Sequence, residues 1–245
     1  MGATYFASDL HLTAVEGPIF DCFVKFLERV RRDGVRLYLL GDVFETWIGD
    51  DDDAALGVAV ARVLRELAAA GVDVAFAHGN RDFLVGERFA QAAGLRLLAE
   101  VECVDVAGHR MALLHGDTLC VDDHAYQQVR LQLRDPAWQA QFLSQTLVDR
   151  RAFAVQARAR SAAHTSMTAP KIMDVNQGSV DALFVETGAH WMIHGHTHRP
   201  AIHLLDGDRR RVVLGDWPHT ASWLRIDEAG AAELVFDGCR ELLRL

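Results

Sequence analysis

Short apolar runs of strand length alternate with amphipathic helical stripes along the first half of the chain. Residues 3–8, 35–40, 72–77, 101–106 and 110–114 read as strands, and residues 19–33 and 54–70 read as helices. Most of the last fifth reads as strands, at 190–194, 200–205, 211–215, 221–227 and 232–236. This order favours a layered α/β domain with one mixed sheet or two stacked sheets.

Chain length and charge narrow the class of protein. Half of the 245 residues are hydrophobic, which supports one large core and predicts a single domain over residues 1–245. The chain carries 34 acidic and 25 basic residues, a formal net charge of −9. Because phosphate backbones require a basic surface, we expect no nucleic-acid partner.

Cysteine usage and hydropathy indicate where the protein works. The four cysteines have no CxxC spacing, which disfavours a zinc knuckle or a dithiol site and fits a reducing compartment. The sequence shows neither a signal peptide nor an apolar stretch long enough to span a bilayer. Any membrane contact is therefore expected to be peripheral.

Seven polar side chains follow strand-like runs at five places in the sequence. They are Asp9, His11, Asp42, Asn80, His115, His196 and His198. Since α/β sheets bind ligands where their strands end, these side chains are expected to meet. Asp9–His11 and His196–His198 are i, i+2 pairs, whose members face the same side in extended backbone. Gly41, Gly79 and Gly195 precede candidate ligands and permit sharp turns there.

This donor set predicts two bound metal ions. Carboxylate, amide and imidazole groups without a thiolate suit Mn²⁺, Fe or Zn²⁺ better than Ca²⁺ or a structural zinc. Seven donors are too many for one ion, and Asp42 is a candidate bridge between ions about 3.5–4 Å apart. A lone DxH after a strand is more commonly a turn, but three alternate histidines in HGHTH are costly without a partner.

The blocks DLH, GDVFE, GNRD, HGD and GHTH together resemble the calcineurin-like metallophosphoesterases. The resemblance spans Tyr5 to about Phe236 and implies a four-layer sandwich of two mixed β-sheets flanked by helices. It implies that one ion is held by Asp9, His11, Asp42 and His198. The second ion would be held by Asp42, Asn80, His115 and His196.

The longer strings GDVFETWIGDDD, HGNRDFLVGERF and IHGHTHRPA are similar to the pyrophosphatases that cleave UDP-2,3-diacylglucosamine in lipid A biosynthesis. This resemblance implies hydrolysis to UMP and 2,3-diacylglucosamine 1-phosphate by metal-activated water. It also implies Mn²⁺ as the metal, a lipid-linked nucleotide sugar as substrate, and a peripheral position on the cytoplasmic side of the inner membrane.

The same resemblance implies a set of substrate contacts. They fall on Asn80, Arg81, Asp123, Ser161, Thr165, Thr168, His196 and His198. Thr165 and Thr168 depart from the Asn and Lys that are common at these positions, which puts both contacts in doubt. Lys171 lies about one helical turn beyond Thr168 and is a candidate replacement for the missing cation.

Asp42, Asn80 and Arg81 are expected to carry the catalysis. The planar guanidinium of Arg81 matches phosphate oxygens and would spread the charge that develops at phosphorus. The alternative is a surface arginine paired with Asp82.

The acidic run at 50–53 has two interpretations. One is a solvated loop whose Asp53 caps the next helix, and the other is a metal-binding or loop-ordering role.

Residues 124–172 interrupt the alternation, since they contain no strand-like run and read as two or three helices. This segment carries seven bases and two acids in an otherwise acidic chain. One interpretation is a helical hairpin packed on the core. The other is a cap inserted in the domain, whose apolar side receives acyl chains and whose arginines meet diphosphate or an anionic membrane surface.

Two other functions are consistent with the motifs. One is a dinuclear phosphodiesterase that acts on a different substrate, such as a cyclic nucleotide. The other is a metal-dependent scaffold without catalysis, although a scaffold would tolerate loss of ligands and all seven are present. The sequence does not determine the oligomeric state, the native metal or the acyl-chain length.

Overall fold

The computed structural model describes residues 2–169, 172–217 and 221–244. Its larger sheet comprises β1 (Ala3–Ala7), β2 (Gly34–Leu40), β3 (Asp73–Ala77), β4 (Arg96–Leu97), β10 (Trp223–Asp227), β11 (Ala231–Phe236) and β12 (Cys239–Arg244). The strand order is β12–β11–β10–β1–β2–β3–β4. β1 to β4 run parallel to one another, and β10 to β12 are antiparallel to their neighbours.

The smaller sheet has five strands, β5 (Glu102–Val106), β6 (His109–Leu113), β7 (Trp191–His194), β8 (Ala201–Leu204) and β9 (Arg210–Val213). Their order is β5–β6–β7–β9–β8, with β6, β7 and β9 parallel. Both sheets are therefore mixed, as the family resemblance implied.

Helices from the first half of the chain cover the outer face of the larger sheet, and the last helix covers that of the smaller sheet. The first half contributes α1 (Pro18–Asp33), α2 (Ala55–Ala69) and α3 (Glu87–Ala93), and the second half contributes α4 (His124–Leu133), α5 (Pro136–Leu143), α6 (Leu147–Met167) and α7 (Gln177–Thr187). A 3₁₀ turn spans Asp117–Leu119. Within the described residues, no helix combines the length and apolar composition that crossing a bilayer requires.

Three apolar layers hold the sandwich together. Phe23 and Leu64 of α1 and α2 pack against the outer face of the larger sheet. Between the sheets, Phe6 stacks on Tyr38 with ring centroids 5.3 Å apart, beside Trp191. α7 closes the outer face of the smaller sheet. Because the central strands are buried on both faces, they read in sequence as continuous apolar runs.

The two strands absent from our prediction are both edge strands. β4 has only two residues, and β12 places three charged residues among its six along an exposed edge. Edge strands are held by hydrogen bonds to one neighbour and need no continuous apolar run. The apolar pattern therefore could not reveal them.

Residues 124–167 form α4, α5 and α6, which we call the helical segment. This agrees with the expectation of two or three helices, but Lys171 lies outside the described residues. The helical segment buries little, since only Phe142 and Arg150 of its helices are fully enclosed. Its status as a cap within a single domain stays a prediction.

Candidate metal centre

The seven predicted ligands converge where five strands of both sheets end. They follow β1 (Asp9 and His11), β2 (Asp42), β3 (Asn80), β6 (His115) and β7 (His196 and His198). Because these strands run parallel within each sheet, their carboxyl ends meet along one edge of the sandwich. Residues nearly 190 positions apart thus come into contact, with His11 Nε2 lying 3.3 Å from His198 Nε2.

The backbone at this edge differs from our expectation of extended i, i+2 pairs. The φ angles are positive at five of the seven, namely Asp9 (55°), His11 (49°), Asp42 (54°), His196 (66°) and His198 (53°). Left-handed conformations are sparsely populated for such residues and persist only where surrounding contacts enforce them. Here the N–H of His11 donates to Asp42 O at 2.9 Å. The ligands therefore turn inward after the strands end.

Glycine is required where two ligand loops approach each other. A Cβ on Gly79 would overlap the carboxylate of Asp42, and a Cβ on Gly195 would overlap that of Asp9. These contacts confirm that the loops need glycine for close approach, as the sequence predicted.

One group of donors surrounds the nitrogens of His11 and His198. Glu45 Oε2 lies 2.7 Å from His11 Nδ1, and Asp216 Oδ2 lies 3.4 Å from His198 Nδ1. Carboxylates at the Nδ1 atoms favour protons there, so the Nε2 atoms are the ones available to a cation. When His198 gives up its second proton, the two Nε2 lone pairs face each other, with Asp9 Oδ1 at 3.3 Å from His198 Nε2, and form a site that a cation would stabilise.

A second group surrounds Asn80. His115 Nδ1 lies 2.9 Å from Leu40 O, so its Nε2 lone pair faces Asn80 Oδ1 at 3.0 Å. His196 Nδ1 approaches the same amide oxygen at 2.9 Å. Asp42 Oδ2 lies between the groups, 3.7 Å from His115 Nε2 and 3.9 Å from His11 Nε2. The residues present therefore fit two divalent cations with Asp42 between them, and the assignment of ligands to ions stays a prediction.

Burial and charge set the protonation of these groups. Burial raises the pKa of Asp42 to about 6 and, with the charge of His115, lowers that of His196 to about 4. Burial also opposes charge on His198, but hydrogen bonds with Asp216 and Asp9 outweigh it and raise its pKa to about 10. A metal ion must therefore displace a proton from His198 to bind there.

Arg81 and Asp82 do not form the surface ion pair that was considered as an alternative. Asp82 is buried and accepts backbone N–H groups from Asp42, Val43, Phe44 and Gly79, which joins two ligand loops. Arg81 Nε lies 3.9 Å from Asp42 Oδ2. Its Nε and Nη1 atoms are buried and have no hydrogen-bond partner within the described residues. The surface-pair interpretation is wrong, and Arg81 retains donors for a ligand at the centre.

Several groups around the centre escaped sequence analysis. The Tyr126 ring lies 5.7 Å from that of His196, and its hydroxyl donates to buried Asp117 at 2.7 Å. Asp117 also accepts from Arg130 Nε at 2.7 Å. Of these only Asp117 carried a signal, as the last residue of the HGD block. Glu45 had a similar signal, as the last residue of GDVFE.

Seven of the eight substrate contacts that the resemblance implied, all except Thr168, lie around one cavity of about 250 Å³ over the metal centre. Asp123, Ser161 and Thr165 line it together with Arg81 and the histidines. Asp123 also accepts from the N–H of Tyr126 and lies 3.0 Å from His164 Nε2. Thr168 instead ends α6 and donates to a backbone carbonyl. Their roles in binding substrate stay predictions.

A second cavity, of about 420 Å³, opens between α4, α5 and α6 and reaches Asn80. Its lining is largely apolar and includes Val129, Leu133, Trp138 and Phe153. Trp138 stacks on Phe142 with ring centroids 5.0 Å apart, which forms one wall of an aromatic cluster. An apolar pocket therefore adjoins a highly polar metal centre.

Ion pairs attach the helical segment to the body. Arg150 of α6 donates to Ile48 O at 2.7 Å and pairs with Asp51, whereas Arg151 pairs with Asp52 and Asp53. Asp50 accepts from the indole of Trp47 and from the backbone N–H groups of Gly86, which precedes α3, and of Phe89 within α3. The acidic run thus orders a loop. Our expectation that Asp53 caps α2 is wrong, because Ala54 occupies the cap position.

Glu45 links the helical segment to the metal centre. One of its oxygens contacts His11 Nδ1, and the other accepts from Arg158 Nη1 of α6 at 2.9 Å. Four arginines of the helical segment, which were expected to meet diphosphate or lipid, pair with protein carboxylates instead. They are Arg130, Arg150, Arg151 and Arg158. His78 and His194 bond backbone carbonyls behind the ligands.

Comparison with known proteins identifies the family. Residues 3–200 match the family model described as calcineurin-like phosphoesterase. The chain belongs to this family. Its members use divalent metals, which agrees with the donor groups described above.

Curated relatives match nearly the whole chain. The UDP-2,3-diacylglucosamine hydrolase of Xanthomonas oryzae pv. oryzae (strain PXO99A) is 48% identical over 239 residues, which cover 94% of this chain and 97% of the relative. The enzyme of the same name from Serratia proteamaculans (strain 568) is 46% identical over 235 residues, covering 95% and 98%.

Solved structures share the fold at low sequence identity. A novel archaeal phosphodiesterase superposes with a TM-score of 0.51 at 12% identity, covering 98% of this chain and 99% of the other. The phosphoesterase Yfce from E. coli gives 0.50 at 16% identity, covering 99% and 98%. These matches confirm the two-sheet architecture and carry no information on substrate.

Proposed function

We propose that this chain hydrolyses the pyrophosphate bond of UDP-2,3-diacylglucosamine to UMP and 2,3-diacylglucosamine 1-phosphate, a reaction of lipid A biosynthesis. The observation that carries the proposal is the junction of two unlike sites at Asn80. Donors suited to two cations lie on one side of this residue, and an apolar cavity of about 420 Å³ lies on the other. Full-length relatives named as UDP-2,3-diacylglucosamine hydrolases support this substrate.

The seven clustered donors would hold two divalent ions, and we propose Mn²⁺ at both positions. When bound, the ions supply Lewis acidity to phosphate oxygens and lower the pKa of water. Asp42 holds its place between the two donor groups because Arg81 N donates to its Oδ1 at 2.8 Å. The chain thereby fixes the spacing of the two groups before substrate arrives.

Arg81 is proposed to stabilise the negative charge that develops on the transferred phosphoryl group. Its buried Nε and Nη1 donors have no partner among the described residues, so no protein bond must break before they bind phosphate. Asn80 offers an amide beside both His115 and His196 and would orient the phosphate next to Arg81. Because the leaving group is a stable phosphate anion, we assign no general acid.

We propose that residues 124–172, which contain the helical segment, act as a cap over the acyl chains. Leu133, Trp138 and Phe153 supply apolar surface to the cavity. Asp123, Ser161 and Thr165 would contact the polar part of the substrate. Thr168 and Lys171, the latter outside the described residues, would also contact phosphate.

We further propose peripheral contact with the anionic cytoplasmic face of the inner membrane. The helical segment exposes Leu131, Val148, Val155 and Met167 to solvent. α6 also carries the exposed Arg160, which pairs with no carboxylate among the described residues, and apolar residues beside a basic group are typical of surfaces that bind an anionic interface. This contact would bring the mouth of the cavity close to lipid-anchored substrate.

The test is turnover of UDP-2,3-diacylglucosamine by Mn²⁺-loaded protein, with cyclic AMP as the competing substrate. We expect release of UMP from the diacyl sugar, little hydrolysis of cyclic AMP, and no UMP from Asp42→Ala. Asp21→Ala, an exposed change on α1, is the matched control and should retain turnover. Faster hydrolysis of cyclic AMP, or full activity of Asp42→Ala, would contradict the proposal.

A further inference from the structure

The four histidines of the metal centre are not held alike. On three of them an oxygen lies within 3.4 Å of the ring nitrogen that faces away from the other donors. These pairs are His11 with Glu45, His198 with Asp216, and His115 with the carbonyl of Leu40. Such a partner normally orients a metal-binding imidazole and fixes its tautomer.

His196 is the exception among these histidines. Its Nδ1 faces Asn80 Oδ1 at 2.9 Å, whereas its Nε2 has no hydrogen-bond partner in the part of the chain that the structure describes. Its backbone N–H donates to the Asp9 carboxylate, which fixes the main chain but not the rotation of the ring. Another contact must therefore orient this imidazole.

The ring of Tyr126 packs against His196 where the other histidines have an oxygen. The two ring centroids lie 5.7 Å apart, with 37° between the ring planes. The His115 ring contacts the same imidazole at 5.1 Å. Both distances are typical of packed aromatic pairs. These two contacts restrict rotation of the imidazole, and the one from Tyr126 comes from outside the seven predicted ligands.

Tyr126 is itself fixed by a buried carboxylate. Its hydroxyl donates to Asp117 Oδ2 at 2.7 Å, and Arg130 Nε donates to the same oxygen at 2.7 Å. Arg130 also pairs with Glu100 of the body. Asp117 is only 3% exposed and begins the 3₁₀ turn just after His115. Because breaking such a buried network leaves a charge without its partner, the phenol ring has a well-determined position.

We propose that Tyr126 is a positioning residue, which fixes the imidazole of His196 so that its Nδ1 faces Asn80. The proposal rests on the metal-dependent function above. Tyr126 belongs to α4, so the helical segment would support the metal centre as well as supply apolar surface. Its side chain lines both the apolar cavity and the cavity over the centre, which places the ring at their junction.

Loss of the Tyr126 ring should affect one ion and spare the other. Without this ring the imidazole of His196 can rotate, which should weaken the ion beside Asn80. His11 and His198 keep the carboxylates that orient them, so the ion beside these two residues should bind as before. A general disturbance of the fold would weaken both ions, which separates positioning from a merely structural role.

The test is anomalous diffraction from crystals equilibrated with a series of Mn²⁺ concentrations, which gives the occupancy of each ion separately. Tyr126→Leu should need about 10–100-fold more Mn²⁺ to fill half of the position beside Asn80, with the other position unchanged. Gln128→Ala, an exposed change on the same helix, is the control and should fill both positions as the unaltered protein does. Equal weakening of both ions by Tyr126→Leu, or no weakening, would overturn the proposal.

Tyr126→Phe is the second variant, because it keeps the ring and removes the bond to Asp117. One hydrogen bond predicts a smaller effect, about 2–10-fold at the position beside Asn80. If Tyr126→Leu fails to fold, unchanged occupancy in Tyr126→Phe would overturn the proposal. An unaltered protein that takes up no Mn²⁺ at either position would instead overturn the metal-dependent function, and the role of Tyr126 with it.

Discussion

The metal centre and the helical segment are built in opposite ways. The centre lies at the ends of buried strands, and its ligands are held by backbone hydrogen bonds, by glycine contacts and by carboxylates behind them. The helical segment buries only two side chains fully and is attached through arginines that reach acidic residues of the body. Charge pairs and one small apolar cluster around Phe142 therefore hold the helical segment to the body.

This difference separates chemistry from substrate selection. A rigid edge of strands keeps the donors at fixed distances, which phosphoryl transfer requires. A segment with few buried contacts can adjust to acyl chains of different shape. Glu45 joins the two regions, because it contacts His11 of the centre and Arg158 of α6.

Removing the helical segment should have the largest effect, because it should abolish turnover of the diacyl substrate and leave the metal centre intact. Replacement of residues 130–155 by a short Gly-Ser linker removes much of the apolar cavity and leaves all seven donors in place. We expect full metal content, retained hydrolysis of bis-(p-nitrophenyl) phosphate, and no measurable turnover of UDP-2,3-diacylglucosamine. Undiminished turnover of the diacyl substrate would show that the segment is not a cap.

Arg81→Ala tests the centre alone. Loss of preorganised charge stabilisation should lower kcat by about 10²–10³-fold, with metal content unchanged. Arg81→Lys should restore part of the rate, since it keeps the charge without the planar fork. Steady-state kinetics of the two variants and the unaltered protein measure kcat and KM. An effect confined to KM would assign Arg81 to ground-state binding instead.

Glu45→Gln and Arg158→Gln together test the link between the regions. Loss of the Glu45 carboxylate should weaken Mn²⁺ binding by about 10–100-fold, because it orients a predicted ligand from behind. Arg158→Gln leaves the contact between Glu45 and His11 intact, so metal affinity should not change. Because it removes the bond that ties α6 to Glu45, it should raise KM for the diacyl substrate. Titration calorimetry and kinetics measure the two effects. Equal loss of metal affinity in both variants would contradict separate roles.

Acid should weaken the centre more than the helical segment. In the metal-free protein the pKa of His198 is about 10, so the ring is protonated at pH 7 and must lose this proton to bind metal. Mn²⁺ affinity should therefore fall by about tenfold per pH unit for each proton displaced, as pH drops below 10. Calorimetry in buffers of different ionisation enthalpy counts the protons released. No proton release at pH 7 would refute this assignment.

The smallest effects are expected where the helical segment meets the acidic loop. Arg150→Met removes a buried hydrogen bond to Ile48 O and should cost about 1–3 kcal/mol of unfolding free energy. Arg151→Met, whose side chain is half exposed, should cost less because water replaces its partners. Urea unfolding of the two variants checks the order. A larger loss for Arg151→Met would reverse our account of how the segment is held.

The features that could be predicted from the sequence are those that lie within short continuous stretches of the chain. Each ligand follows an apolar strand within one short motif, so the sequence revealed both the strands and the seven donors. Left-handed φ angles at residues such as Asp9 and His198 were not foreseen, because they arise from contacts between loops that are distant in sequence. The same is true of the pairing of Asp51 with Arg150, which lie 99 positions apart.

Carboxylates behind the ligands were also missed. Asp216 lies in a loop with no recognisable motif, and Glu45 ends a block whose earlier residues already explained the resemblance. Their roles depend on which histidine nitrogen they face, which only the folded structure defines. The sequence therefore predicted the donors better than the contacts that hold those donors in place.

Metal stoichiometry measured on active, purified protein tests the central claim most directly. Elemental analysis should find two divalent transition-metal ions per chain, and turnover should stop when chelation removes them and return when Mn²⁺ is added. Protein that hydrolyses UDP-2,3-diacylglucosamine at full rate with no bound metal would contradict the account.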